Sequence, residues 1–194
     1  MKKEKNFWVR NYRACWEFLK ESSDYHIAAL GIFCVFIIIG FAFPIFFQEQ
    51  IFAFMQELLS TIENFNVSEL TSFIFFNNIK TAFFAMVLGI FVVFPAGAMV
   101  VNGYLLGFVA RFAVDEAGSI LVLWKLVPHG IFELPAVILS VGLGLKIGVE
   151  IWRKNSWKIL KRNFKEGLRF FIFVIFPLLL VAAVIEGFLI WGLG

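Results

Sequence analysis

Residues 71–114 form an apolar stretch that is almost unbroken. As a single helix it would be about 66 Å long at 1.5 Å per residue, roughly twice the hydrocarbon core of a bilayer. The run must therefore break. Pro95-Ala96-Gly97 is the expected place, because proline removes a helical hydrogen bond and glycine favours turns. This predicts one span over 79–94 and another over 98–114. Only 16% of the 194 residues are charged, against 61% hydrophobic and 27 Phe. Soluble domains carry about 25% charged residues, so the chain reads as an all-α, polytopic integral membrane bundle. About five transmembrane helices are expected, with interfacial amphipathic helices and a broken or re-entrant helix at 118–135.

The rest of the chain divides in the same way. Residues 1–26 are basic, with Trp8, Tyr12, Cys15, Trp16 and Leu19 at helical spacing, which predicts an amphipathic helix lying on a membrane surface. Residues 27–47 make the first span, which is retained because no small-residue cleavage site follows it. Gly is not at position 2 and no lipidation box ends the chain. His26 falls at the headgroup boundary. Residues 48–70 are acidic, and Ile51, Phe54, Met55, Leu58, Leu59 and Ile62 recur at helical spacing, so an outer amphipathic segment is expected. Asn66-Val67-Ser68 matches the glycosylation tripeptide, a short pattern given no weight. Residues 71–194 make up a core membrane domain, its later spans at 135–149 and 170–191. Between those two lies a basic amphipathic helix over 150–169. Cys15 and Cys34 have neither disulfide nor metal-site spacing.

Lys and Arg number 6 in the N-terminal segment and 8 in residues 146–169, against 1 in 48–80 and 2 in 111–125. The positive-inside rule then places the N-terminus in the cytoplasm and the C-terminus outside a cell membrane. The basic helices, interleaved with aromatic residues, suit anionic lipid headgroups and not nucleic acid.

Within residues 117–151, His129 and Glu133 lie four apart and so share a helix face, framed by Pro128 and Pro135 as further helix breaks. A charge at membrane depth costs about 3 kcal/mol or more unless paired or hydrated. Asn78, Asn102 and Glu186 on neighbouring spans are the candidate partners of this polar centre. Three readings stand open. The pair is structural, satisfied by those neighbours. It lines a path for an ion, proton or small solute. Or it belongs to a metal site for hydrolysis, which lacks a clear third ligand. No catalytic residue is assigned, no cofactor is expected and the metal question is left open. Lys80, Lys125 and Lys146 read as cations snorkelling from helix ends. Gly103 and Gly107, and Gly144 and Gly148, have the spacing that lets helices approach closely; such faces serve bundle packing and also suit a homo-oligomer.

Asn77-Asn78 ahead of a span, Asn102-Gly103-x-x-Leu106-Gly107, and Pro128-His129-Gly130-Ile131-Phe132-Glu133-Leu134-Pro135-Ala136 before a Gly-rich span closely resemble the stage II sporulation protein M family, over roughly residues 70–194. The resemblance implies an integral membrane protein. In spore formers it implies a role in engulfment, holding peptidoglycan-degrading enzymes at the septal membrane, so membrane or cell-envelope proteins are the implied partners. It supplies no catalytic residues. A scaffold that recruits or organises partners is thus the leading expectation, with a channel or transporter as the alternative and an intramembrane hydrolase behind both.

Overall fold

A computed structural model describes residues 6–193, excepting the side chains of 124–132 and 190–193. Every regular element among the described residues is helical. In order they are α1 (Phe7–Glu21), α2 (Ser23–Ala42), α3 (Gln48–Ile62), α4 (Val67–Val87), α5 (Val93–Ala117), α6 (Val127–Lys154), α7 (Trp157–Phe170) and α8 (Phe176–Leu193). Five stretches are long and apolar enough to cross a membrane: Ser23–Ala42, Val67–Ile90, Val93–Ala117, Glu133–Lys154 and Trp157–Leu189. The chain is a multi-pass all-α membrane protein.

The span boundaries differ from expectation because proline acts where it has least to disrupt. The break within 71–114 falls over a 3-10 turn at Leu88–Ile90 and the two residues after it, ahead of Pro95. Pro95 is the third residue of α5, where its missing N–H has no helical acceptor to lose. The segment from 118 to 135 behaves likewise. Gly118, at φ 64°, ends α5 in the left-handed conformation, and 3-10 turns follow over Ile120–Leu126. Then α6 begins, with Pro128 in its first turn, and runs on through Pro135 instead of starting there. The basic amphipathic helix expected over 150–169 forms as α7, with Lys158, Lys161 and Lys165 exposed, and it continues into the last span. A π turn over Phe171–Ile175 joins α7 to α8, directly before Pro177, which offers no amide to the carbonyl four residues back.

Caps close the other boundaries. Asn66, dismissed as a glycosylation match, is the N-cap of α4: it accepts from the Glu69 amide at 3.0 Å while Glu69 accepts from the Asn66 amide at 2.9 Å, a capping box. Asn155, at φ 42°, turns α6 sharply into α7.

The central element is α6, whose membrane window is 61% buried against 22–33% for the other four. Its glycines are why. A Cβ on Gly144 or Gly148 would collide with the backbone of Ala85 or Gly89, and one on Gly89 would strike Gly144. The α4–α6 contact is therefore backbone on backbone. A second seam of this kind joins α2 to α5, where Gly40 abuts Tyr104 and Phe108, Gly103 abuts Phe33, and Gly107 abuts Ile37. Small residues serve where lipid gives no hydrophobic drive for helices to associate. The core on one side of α6 contains Cys15, Phe18, Met86, Leu143, Ile147, Phe170 and Leu179. On the other side are Ala29, Phe33, Met99, Val137 and Val141.

Because Cys15 and Phe18 are buried there, α1 packs on the bundle with that face. Trp8, Tyr12 and Trp16, read with Cys15 as one membrane face, point outward instead. The apolar face of α3 is only partly covered, chiefly where Phe52 meets Phe108 and Phe112 at ring distances of 5.6 and 4.9 Å; no residue of α3 is fully buried.

Candidate functional site

The largest buried polar side chain is one the sequence reading assigned to a helix end. Lys146 lies in α6 with its side chain 3% exposed, so it does not snorkel. Its ammonium donates to the backbone carbonyl of Glu21 at 2.9 Å and sits 4.7 Å from the Phe18 ring centroid. The carboxylates of Glu21 and Glu150 lie 3.8 and 4.0 Å away. Glu21 is the last residue of α1, so its carbonyl is one that the helix cannot satisfy itself. A cation at that end also opposes the helix dipole. Lys146 thus caps α1 from inside the bundle.

The surrounding groups extend this into a network across three elements, α1, α6 and α7. Arg162 of α7 donates from one guanidinium nitrogen, Nη2, to both Glu21 carboxylate oxygens at 2.8 and 2.7 Å, a charge-assisted contact. Glu150 accepts from the buried Asn163 of α7 at 3.0 Å and lies 3.5 Å from Lys154. A buried lysine survives only when paired and hydrogen-bonded, and here both conditions hold. The sequence signal was Lys146-x-x-x-Glu150 inside a glycine-rich helix; the carbonyl partner carries no sequence signal at all. Beside the network, a cleft of about 250 Å³ between α1 and α7 is lined by Glu17, Glu21, Arg162, Glu166 and Arg169. Its charges pair across it or along it, Arg169 with Glu166 included. Burial raises the Cys15 thiol pKa above its usual value, with Arg169 acting in the opposite direction.

His26 is buried, three residues into the span that begins at Ser23. Its ring fills the space a Cβ on Gly142 would take, and the Ile138 carbonyl is the polar group facing it.

The residues of the expected polar centre lie on α4, α5, α6 and α8. Glu133 is half-buried in α6, while the side chain of His129 lies outside the described residues. Asn78 is buried in α4. Asn102 donates to the Ala98 carbonyl of its own helix at 2.7 Å, a local bond that spends its amide within α5. Glu186, half-buried in α8, neighbours Gly187, which abuts Thr71 of α4. Among the described residues there is no group of three or more His, Cys, Asp or Glu placed to hold a metal ion.

Lys80 is the second cation misplaced by the sequence reading. It lies thirteen residues after Val67 and ten before Ile90 in its span, far from either end, and faces outward with Asn77 and Thr81.

The family model described as Stage II sporulation protein M matches residues 29–189, beginning well ahead of residue 70. An uncharacterized protein of Methanocaldococcus jannaschii is 32% identical over 117 residues, covering 57% of this chain and 51% of that protein. The chain thus spans about half the length of the curated relative it matches. No solved structure matches the chain.

Proposed function

Because the chain belongs to the stage II sporulation protein M family, we propose that it is a membrane scaffold that recruits or organises partner proteins. The observation that supports this best is the construction of α6. Its middle is packed against α4 by backbone contact at Gly144 and Gly148, and its buried cation is committed to carbonyl and carboxylate partners. A helix fixed on these sides suits a rigid frame better than an alternating-access element. The basic end carries exposed Lys158, Lys161 and Lys165 on α7, and Arg10 and Lys20 on α1. Lys20 and Lys161 lie over the Trp16 and Trp157 rings at 5.2 and 5.8 Å. Such a surface would rest on anionic headgroups, which together with the Lys and Arg counts supports a cytoplasmic N-terminus and an outer C-terminus.

Glu133, half-buried within its span, is the feature that would serve ion or solute transport instead. Crosslinking followed by affinity purification from native membranes separates the two. A stoichiometric protein partner is the expected outcome. Recovery of this chain alone, together with an ion or solute flux in liposomes that Glu133→Gln abolishes, would replace the scaffold with a transporter.

A further inference from the structure

Lys80 is hard to reconcile with a chain surrounded only by lipid. Its span, Val67–Ile90, puts it ten residues from the nearer end, about 15 Å along a helix and so near the middle of a hydrocarbon core about 30 Å thick. A lysine stem does not bridge that distance to the headgroups by snorkelling. Its side chain is exposed, and it has no ion-pair partner among the described residues. Asn77 and Thr81 flank it on the same exposed face, and Thr81 donates back to the Asn77 carbonyl at 3.0 Å.

These three residues open onto a groove of about 340 Å³ between α4 and α5, walled by Phe84, Phe94 and Ala98. Apolar walls with a cation, an amide and a hydroxyl along one edge suit a helix that is apolar apart from one acceptor-bearing residue. We propose that the α4–α5 groove docks a transmembrane helix of a partner protein, and that this helix carries a carboxylate at mid-membrane depth to meet Lys80. The proposal rests on the scaffold reading in taking the occupant to be a protein, and it names the chemistry of that partner. A second copy fits less well. A two-fold contact through the groove would set Lys80 against Lys80, and Glu133 and Glu186, two of the chain's own carboxylates on its apolar helices, are half-buried and already engaged.

The test uses the full chain in liposomes of phosphatidylcholine with phosphatidylglycerol, and synthetic polyleucine helices bearing one central Glu or none. Energy transfer between labelled chain and labelled peptide measures association. The Glu peptide should bind about tenfold more tightly than the all-Leu peptide, as polar contacts between helices in lipid allow. Lys80→Met should erase that difference without changing the melting temperature, since Lys80 is exposed and has no ion pair among the described residues to lose. Equal binding of the two peptides, or a preference that survives Lys80→Met, overturns the proposal. So does chain-to-chain transfer that Lys80→Met abolishes, which would assign the groove to a second copy. Contact of a label at Ala98→Cys with spin-labelled phosphatidylglycerol, undiminished by the Glu peptide, would assign it to lipid. The scaffold reading fails separately, on the absence of any partner from native membranes; a partner that crosslinks elsewhere, with peptides blind to Lys80, defeats the groove alone.

Discussion

Replacing Lys146 with methionine keeps the length of the side chain and removes its charge. The ammonium's bond to the Glu21 carbonyl at 2.9 Å is charge-assisted and worth about 1.5–3 kcal/mol. Its position over Phe18 adds up to about 2 kcal/mol when desolvated. Breaking a buried pair costs about 3–5 kcal/mol when it strands a charge, but neither carboxylate is stranded here. Glu21 keeps Arg162, and Glu150 keeps Asn163 and Lys154. Relief of the lysine's desolvation offsets part of the loss, so Lys146→Met should cost about 2–3 kcal/mol net. In a protein of this size that lowers the melting temperature by about 5–10 °C. Cys15 supplies the assay. It is buried between α1 and the bundle core, its thiolate is suppressed by burial, and a thiol-reactive dye reports its release on heating in a Cys34→Ser background. Glu21→Gln, at a half-exposed carboxylate, should cost less than about 1 kcal/mol, with a coupling to Lys146→Met of similar size. A melting temperature unmoved by Lys146→Met would refute the capping role. A coupling as large as the whole loss would show that the carboxylate, not the carbonyl, holds the lysine.

Three further outcomes follow from close contacts. Gly89→Ala drives a methyl into the Gly144 backbone and should destabilise by about 3 kcal/mol or more, at the upper end for overpacking; Gly31→Ala and Gly97→Ala, with nothing within 4 Å, should leave the melting temperature level or raise it through helix propensity. The single hydroxyl proton of Tyr104 faces the Phe43 and Phe46 carbonyls, both at 3.0 Å, and its oxygen accepts from the Phe46 amide at 3.1 Å. Tyr104→Phe should therefore cost about 1–2 kcal/mol and speed amide exchange at 43–47 while that of α6 is unchanged. Arg162→Lys shortens the reach to a half-exposed ion pair, and should shift the melting temperature by no more than about 1 kcal/mol allows; a larger fall would mean that the cleft between α1 and α7 is drier than its exposure indicates.

The helical membrane class was legible because apolar runs of about 20 residues admit few other structures. The amphipathic period of 6–21 and 48–62 likewise sufficed to place α1 and α3. Proline was misread because the sequence shows where a proline is, not which turn of the helix it occupies; Pro95 and Pro128 open helices, whereas Pro135 sits inside one. Lysine was misread for a related reason. Snorkelling and capping a foreign helix leave the same letter in the sequence, and the partner of Lys146 is a backbone carbonyl 125 positions away. Asn102 places one amide N–H on the Ala98 carbonyl one turn back, a local bond that the sequence does not announce. Gly144 and Gly148 were identifiable as small-residue positions; Ala85 and Gly89, which they meet, have the same small-x-x-x-small spacing, but an alanine among so many apolar residues gives little signal.

The buried face of the rod formed by α7, the π turn and α8 runs through Leu160, Asn163, Gly167, Phe170 and Phe171, then Ile175, Leu179, Ala182 and Ala183. Its intervals lengthen to four and four between Phe171 and Leu179, where the wide turn absorbs about one residue beyond the α-helical count. The turn acts as a phase corrector. It lets a basic, amphipathic half and an apolar half keep a common inward stripe although their combined length does not match the α-helical period. The composition of either half is thereby free to drift, so long as the residue of slack between them stays where Phe173 meets Phe7, Trp8 and Tyr12.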